Sequence, residues 1–377
     1  MESQNFKFIA GLDHLRGFAA LIIVFFHGTH FFLYKLQSQL PNIPENWPTS
    51  NNPLITLIIE GHSAVGLFFV ISGFIFTTRL LNRSFDYKNF YTNRFIRTYP
   101  LFIVILSLGL LIYPENISLS SVSQTLLFLS NNISAFNGGQ FTYVFWSIAV
   151  EWHFYFIFPI LIYLLRKYDY IGLLFIIILF ELIRFSIYYF QHELRIISYW
   201  TLVGRIDQFI IGMLAGKYWI ENIKLIKFKK SLIISSIILI LLNSFIFNAI
   251  RGATSNHAIW IIWPTLEALS WALFLISYLN IANQLNIFIK DLFNYLGRIS
   301  YSIYMVHFIV IFYFIEYNFL FKFFNIDLIL NAMLNTLIFV IPVTILVSSL
   351  TYKLIELPFL NLKKFSLQLN IQNHGKF

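Results

Sequence analysis

A charge held at mid-bilayer depth is costly, so ionisable residues inside long apolar runs mark either a site or a structural pair. The first apolar run, roughly 10–33, carries Arg16, His27 and His30. Arg16 and His27 are close to three helical turns apart, which puts both on one face with about 16 Å of axial separation. His30 lies near the same face. An imidazole there can take a proton from a hydroxyl or attack as a nucleophile, and a guanidinium can stabilise an oxyanion. Arg94 and Arg97 share a helix face. They suit the phosphates of a nucleotide-like ligand, or serve as plain anchors at the membrane surface. Further candidates are Glu60, His62, Glu151, His153, Glu181, Arg184, Arg205, Asp207, Glu267 and His307. Glu181 and Arg184 can pair within one helix. Arg205 and Asp207 are two apart, a poor helical pair, so each is expected to reach another segment. His30, His62 and His153 read first as hydrogen-bonding core residues.

The elements that position these groups follow from composition. Of 377 residues, 58% are hydrophobic and 11% charged, with a mean hydropathy of +0.72. Soluble domains run at about a quarter charged, so a water-facing surface cannot be built. Soluble enzymes, disordered chains and nucleic-acid binders are excluded. The +9 net charge then records lysines and arginines facing the cytoplasm. Without cysteine the chain has no disulfide, no thiolate metal site and no cysteine nucleophile.

A span needs about 20 apolar residues. Ten are read, near 10–33, 54–78, 99–113, 142–165, 170–190, 201–220, 231–249, 257–280, 299–320 and 328–352. The expected fold is an all-α, polytopic membrane helix bundle. The third span is short, and 121–133 is expected at the membrane interface. Pro159, Pro264 and Pro342 are expected to kink their helices. With this alternation, twenty of the 26 lysines and arginines fall on one side and four on the other. The positive-inside rule then places both termini in the cytoplasm. The first span is too long for a cleaved signal. Residues 1–358 read as one membrane domain and 359–377 as a short basic cytoplasmic tail.

The motifs resemble those of acyltransferase family 3, integral membrane O-acyltransferases of the kind that acetylate surface glycans. Gly11-Leu12-Asp13-His14-Leu15-Arg16-Gly17-Phe18-Ala19-Ala20, followed by His27, is similar to the family's opening. Phe68-Phe69-Val70-Ile71-Ser72-Gly73-Phe74 resembles its F-F-x-x-S-G-F motif, and Arg94-Phe95-Ile96-Arg97-Thr98-Tyr99-Pro100 its R-x-x-R-x-x-P motif. Trp146-Ser147-Ile148-Ala149-Val150-Glu151, Arg205-Ile206-Asp207-Gln208-Phe209, Ser300-Tyr301-Ser302-Ile303-Tyr304 with His307, and Glu356-Leu357-Pro358 follow in the family's order. Each motif is short and mostly apolar; seven in order, from about Phe8 to Pro358, are a specific signal.

The resemblance implies transfer of an acyl group, acetyl by family frequency, from cytoplasmic acyl-CoA to a hydroxyl of a surface or lipid-linked glycan. It implies a multi-pass protein of the bacterial cytoplasmic membrane and no metal. His27 is then the base or nucleophile, Glu151 orients the imidazole, and Arg16 or Arg205 stabilises the oxyanion. Arg94 and Arg97 hold the donor's phosphates. Ser72 and Gly73 allow close approach of the donor to backbone, and Arg205, Asp207 and His307 face the acceptor. Some members carry an extracytoplasmic hydrolase-like domain. No room is read for one here, which leaves open a separate extracytoplasmic partner. The rival from another class is a secondary transporter or flippase, which buried charges also suit; paired halves with matching broken helices are not visible.

Overall fold

The computed structural model describes residues 9–37, 47–222, 230–323 and 327–362. Among them every regular element is helical, as the bilayer requires of segments that must satisfy their own backbone groups. Seven helices are long and apolar enough to cross a membrane, or eight if the bent pair Ile287–Arg298 and Ser300–Glu316 is one span.

The difference from ten has local causes. The stretch from Gly139 to Gln191 counts once, yet Asp169 breaks it with φ 56° and ψ −150°, between the fourth and fifth expected spans. Helix α8 (Leu202–Asn222) occupies the sixth, but Arg205, Asp207 and Lys217 keep it out of the apolar set. Other boundaries move too. The expected second span is broken: α2 (Pro53–Ile59) ends, Glu60 to His62 turn, and α3 (Ser63–Leu80) begins. The expected short third span is the second half of α4 (Tyr87–Ile112), so Arg94, Arg97 and Pro100 lie inside a 26-residue helix. Asp86 caps its start by accepting from the Asn89 backbone N–H at 3.0 Å. That bond and the Asn89 side-chain amide hold the Asp86 carboxyl below its ordinary range. The eighth span starts later, because Pro264 sits in the first turn of α10 (Trp263–Ile281) and does not kink it. Pro342 likewise opens α14 (Ile341–Thr351) directly after a π-helical turn. Pro159 stays inside α6 (Phe145–Gln191). The stretch expected at the interface holds α5 (Leu119–Leu126), and most of the expected tail lies outside the described residues.

Helix α1 (Ala10–Leu36) packs against α3, α11 (Ile287–Arg298), α12 (Ser300–Glu316) and α13 (Leu328–Asn335). Leu111, Ile171 and Phe190 stand outward, as lipid-facing residues would. The tightest seam is α3 against α8. A Cβ on Gly73 would lie 2.0 Å from the Phe209 carbonyl oxygen, and one on Gly212 2.1 Å from that of Val70. Only small residues allow such approach. Gly17 of α1 meets Leu296 and Gly297 of α11 in a second seam, where a Cβ on Gly297 would lie 2.1 Å from the Asp13 carbonyl oxygen.

Candidate active site

Helix α1 is lined at its two ends by two different cavities. The larger, about 680 Å³, lies beside its first turns. Arg16, Arg79, Arg94 and Arg97 all line it, with Asp13 and Glu151 as the carboxylates. Arg16 lies 3.5 Å from Asp13. The Arg94 guanidinium sits 4.9 Å from the Phe76 ring centroid, and its buried Nε has no hydrogen-bond partner. Thr98, next to Arg97, donates its hydroxyl proton to the Arg94 carbonyl, while Tyr301 OH donates to the Thr98 carbonyl at 2.7 Å. Two expected motifs therefore brace each other across α4 and α12. Ser302 of the same α12 turn donates to Glu356 on a π-helical turn, tying in the last motif.

The second cavity, about 220 Å³, surrounds His27 and includes His30, His62, Trp47, Trp146, Tyr199 and Arg195. Val65 and Tyr304 line both cavities. Ser147 sends its proton to the Val144 carbonyl at 2.9 Å, so Tyr304 is the donor in its 2.6 Å bond to Ser147.

The protonation of His27 follows from its neighbours. His307 Nδ1 lies 2.7 Å from the Tyr304 carbonyl, which can only accept, so Nδ1 carries the proton. In neutral His307, Nε2 is then the acceptor, and it lies 3.0 Å from His27 Nδ1. His27 Nδ1 donates, leaving His27 Nε2 with a free lone pair. Phe308 packs on the ring at 4.4 Å between centroids. His30 has a different role: its Nε2 donates to the Ile59 carbonyl at 3.0 Å.

The expected site residues separate into groups. His27 and His307 meet directly; the sequence had placed His307 toward the acceptor. Glu151, expected to orient the imidazole, instead accepts from Ser72 at 2.9 Å and lines the arginine cavity. Ser72 lines the same cavity, but Gly73 faces α8 and serves helix packing. Arg205 lies behind the His27 cavity's aromatic wall. Its Nε donates to the Tyr199 carbonyl at 3.0 Å, its guanidinium is 4.7 Å from the Tyr199 ring, and NH1 is 3.6 Å from Glu267. Its NH2 is buried without a partner. Asp207 takes both nitrogens of Arg184, at 2.9 and 2.6 Å, plus Thr265 at 2.5 Å, and is fully buried. Its oxygens are thus occupied by protein, and Glu181, expected beside Arg184, instead lies 2.9 Å from the same Thr265 hydroxyl, whose single proton the two carboxylates share. Arg205 and Asp207 do reach different helices, as their spacing requires.

Arg79, Ser147 and Tyr304 line the cavities but were not among the expected site residues, although Ser147 and Tyr304 lie within the quoted motifs. Arg79 is two turns after Ser72 and on its face, Ser147 one turn before Glu151, and Tyr304 one turn before His307. That periodicity was the available signal. Among the described residues, no group of three or more histidines and carboxylates could hold a metal ion.

The chain is a helical membrane bundle with an arginine-lined chamber beside one end of α1 and a buried imidazole toward the other. The chain belongs to acyltransferase family 3, matching its acyltransferase domain over residues 9–353. It is 37% identical to an uncharacterized protein of Haemophilus influenzae, over 30% of this chain and 54% of that protein. It is 23% identical to the O-acetyltransferase OatA of Staphylococcus aureus, over 95% of this chain and 60% of OatA. The chain thus spans little more than half the length of these curated relatives. No solved structure matches it.

Proposed function

We propose that this chain transfers an acyl group, acetyl in the first instance, from acyl-CoA bound at the arginine cavity to a glycan hydroxyl at the His27 cavity. The observation that carries this reading is the placement of four guanidiniums and the free Nε2 of His27 in adjoining cavities that share Tyr304 and Val65. The acyltransferase family and the O-acetyltransferase name of a relative support it.

The donor cavity suits a phosphate-bearing substrate. Arg94 and Arg97 bind its phosphates with charge-assisted hydrogen bonds, and the partnerless Arg94 Nε is one donor available for them. Arg16 and Arg79 add positive charge at the same chamber. The volume lies within the range of small-molecule sites. An extended pantetheine arm is on the scale of the 16 Å or so between Arg16 and His27, so the thioester reaches the imidazole while the charged nucleotide stays at the mouth.

At His27, Nε2 takes the proton from the acceptor hydroxyl as its oxygen bonds to the thioester carbonyl carbon. The carbon–sulfur bond then breaks, and the imidazolium returns the proton to the leaving thiolate. His307 holds the ring in the required tautomer. Tyr304, whose hydroxyl proton goes to Ser147, forms the wall between the cavities, and Arg205 behind Tyr199 supplies the positive charge for the oxyanion. Glu151 positions Ser72 in the donor chamber. Gly73 and Asp207 act through packing.

The basic asymmetry of the sequence orients the donor chamber toward the cytoplasm and the His27 cavity outward, in a bacterial cytoplasmic membrane with both termini inside. Residues 1–358 constitute the transferase domain and 359–377 a cytoplasmic tail. A separate extracytoplasmic partner can relay the acyl group where the acceptor lies far from the membrane. The test is acyl-CoA thioester cleavage and glycan acylation in membranes from cells making the wild type or His27→Ala. Loss of both with unchanged protein level is expected. Transfer retained by His27→Ala overturns the reading.

A further inference from the structure

A third cavity of about 440 Å³ adjoins the His27 cavity, with Tyr143 lining both. The link is short. Phe308, packed on His27, meets the Tyr143 ring at 5.3 Å, and Tyr143 meets Phe312 at 5.7 Å. Tyr113, Tyr143 and Phe312 supply aromatic surface to this cavity, and Asn116, Gln140 and Glu316 supply polar groups. Tyr113 OH donates to Gln140 Oε1 at 2.7 Å, which leaves the Gln140 amide nitrogen without a protein partner among the described residues. Asn116 Nδ2 donates to the Asn137 carbonyl at 2.8 Å, leaving its own side-chain oxygen free to accept. No basic residue lines the space.

We infer that this cavity is a subsite for an uncharged sugar unit of the acceptor chain, next to the unit acylated at His27. The inference rests on the acyl-transfer reading above and adds a place and a class to its acceptor. Aromatic faces pack against the C–H faces of a pyranose, while an amide donor, an amide acceptor and a carboxylate match neighbouring hydroxyls. A phosphate or uronate is disfavoured, because Glu316 repels it and no guanidinium or ammonium compensates. The arginine cavity has the opposite character, so the two ends of the reaction path select by charge.

The experiment is saturation-transfer NMR on the full chain in detergent, with maltotriose, cellotriose and chitotriose as probes. Saturation of at least one oligosaccharide is expected. Gln140→Ala combined with Glu316→Gln should weaken that binding about ten-fold or more, because a hydrogen bond to a charged group is among the stronger ones lost. Glu316→Gln alone, at an exposed side chain, preserves shape and should weaken it in the same direction. No saturation by any probe, or variants that bind as the wild type does, overturns the subsite. Glycan acylation retained by His27→Ala would instead overturn the transfer reading, and the two failures are read from separate assays.

Discussion

His307 Nε2 lies 3.0 Å from His27 Nδ1, and His307 Nδ1 is held by the Tyr304 carbonyl. A backbone acceptor thus sets the tautomer of one imidazole, and that imidazole sets the tautomer of the next. The free lone pair on His27 Nε2 is the end of this chain.

His307→Ala removes the acceptor that keeps the proton on His27 Nδ1. The expected result is a fall in kcat of about 100-fold with little change in the KM for acyl-CoA, the size typical of a lost proton-transfer contribution. Steady-state kinetics in membranes checks it. A rise in the acyl-CoA KM with kcat intact would place His307 in donor binding.

Arg94→Ala with Arg97→Ala should weaken CoA binding by at least ten-fold, since each removes a charge-assisted contact worth about 1.5–3 kcal/mol. Equilibrium binding of labelled CoA to membranes measures it. Unchanged affinity would return both residues to the role of surface anchors.

Asp207→Asn should act on stability. It leaves Arg184, fully buried, facing a neutral amide; breaking such a pair costs about 3–5 kcal/mol. A lower unfolding temperature in detergent is expected. A variant of native stability with a raised acceptor KM would instead restore Asp207 to the substrate site.

Gly73→Leu should abolish the folded protein, because even a Cβ would stand 2.0 Å from the Phe209 carbonyl oxygen. Size-exclusion chromatography of the solubilised variant should show aggregate only. A monodisperse, active variant would show that α3 and α8 can separate.

Much of this was legible in the residues. Low charge and long apolar runs require helices in lipid, and the three-turn spacing of Arg16 and His27 correctly set two ends of one helix face. What the sequence hid were contacts between motifs. Glu151 and His27 are both single polar groups in apolar runs, and nothing in their spacing says that Ser72 claims one and His307 the other. Gly73 looked like room for a ligand because a glycine's missing side chain does not say what fills the space; here it is the backbone of α8. Arg94 and Arg97 masked the first half of α4, since charges lower the hydropathy of a segment without breaking its helix. At Asp169 the helix breaks between 142–165 and 170–190, where the sequence reading had separated two spans.

Val65 and Tyr304 line both chambers, so a hydrocarbon side chain and a phenol form the boundary between them. In the transfer reading proposed above, whatever passes that boundary must be slim, which selects an extended acyl thioester arm over the nucleotide that carries it. The same two side chains would then keep the chambers from joining into one open passage along α1, so that group transfer need not cost the membrane its seal.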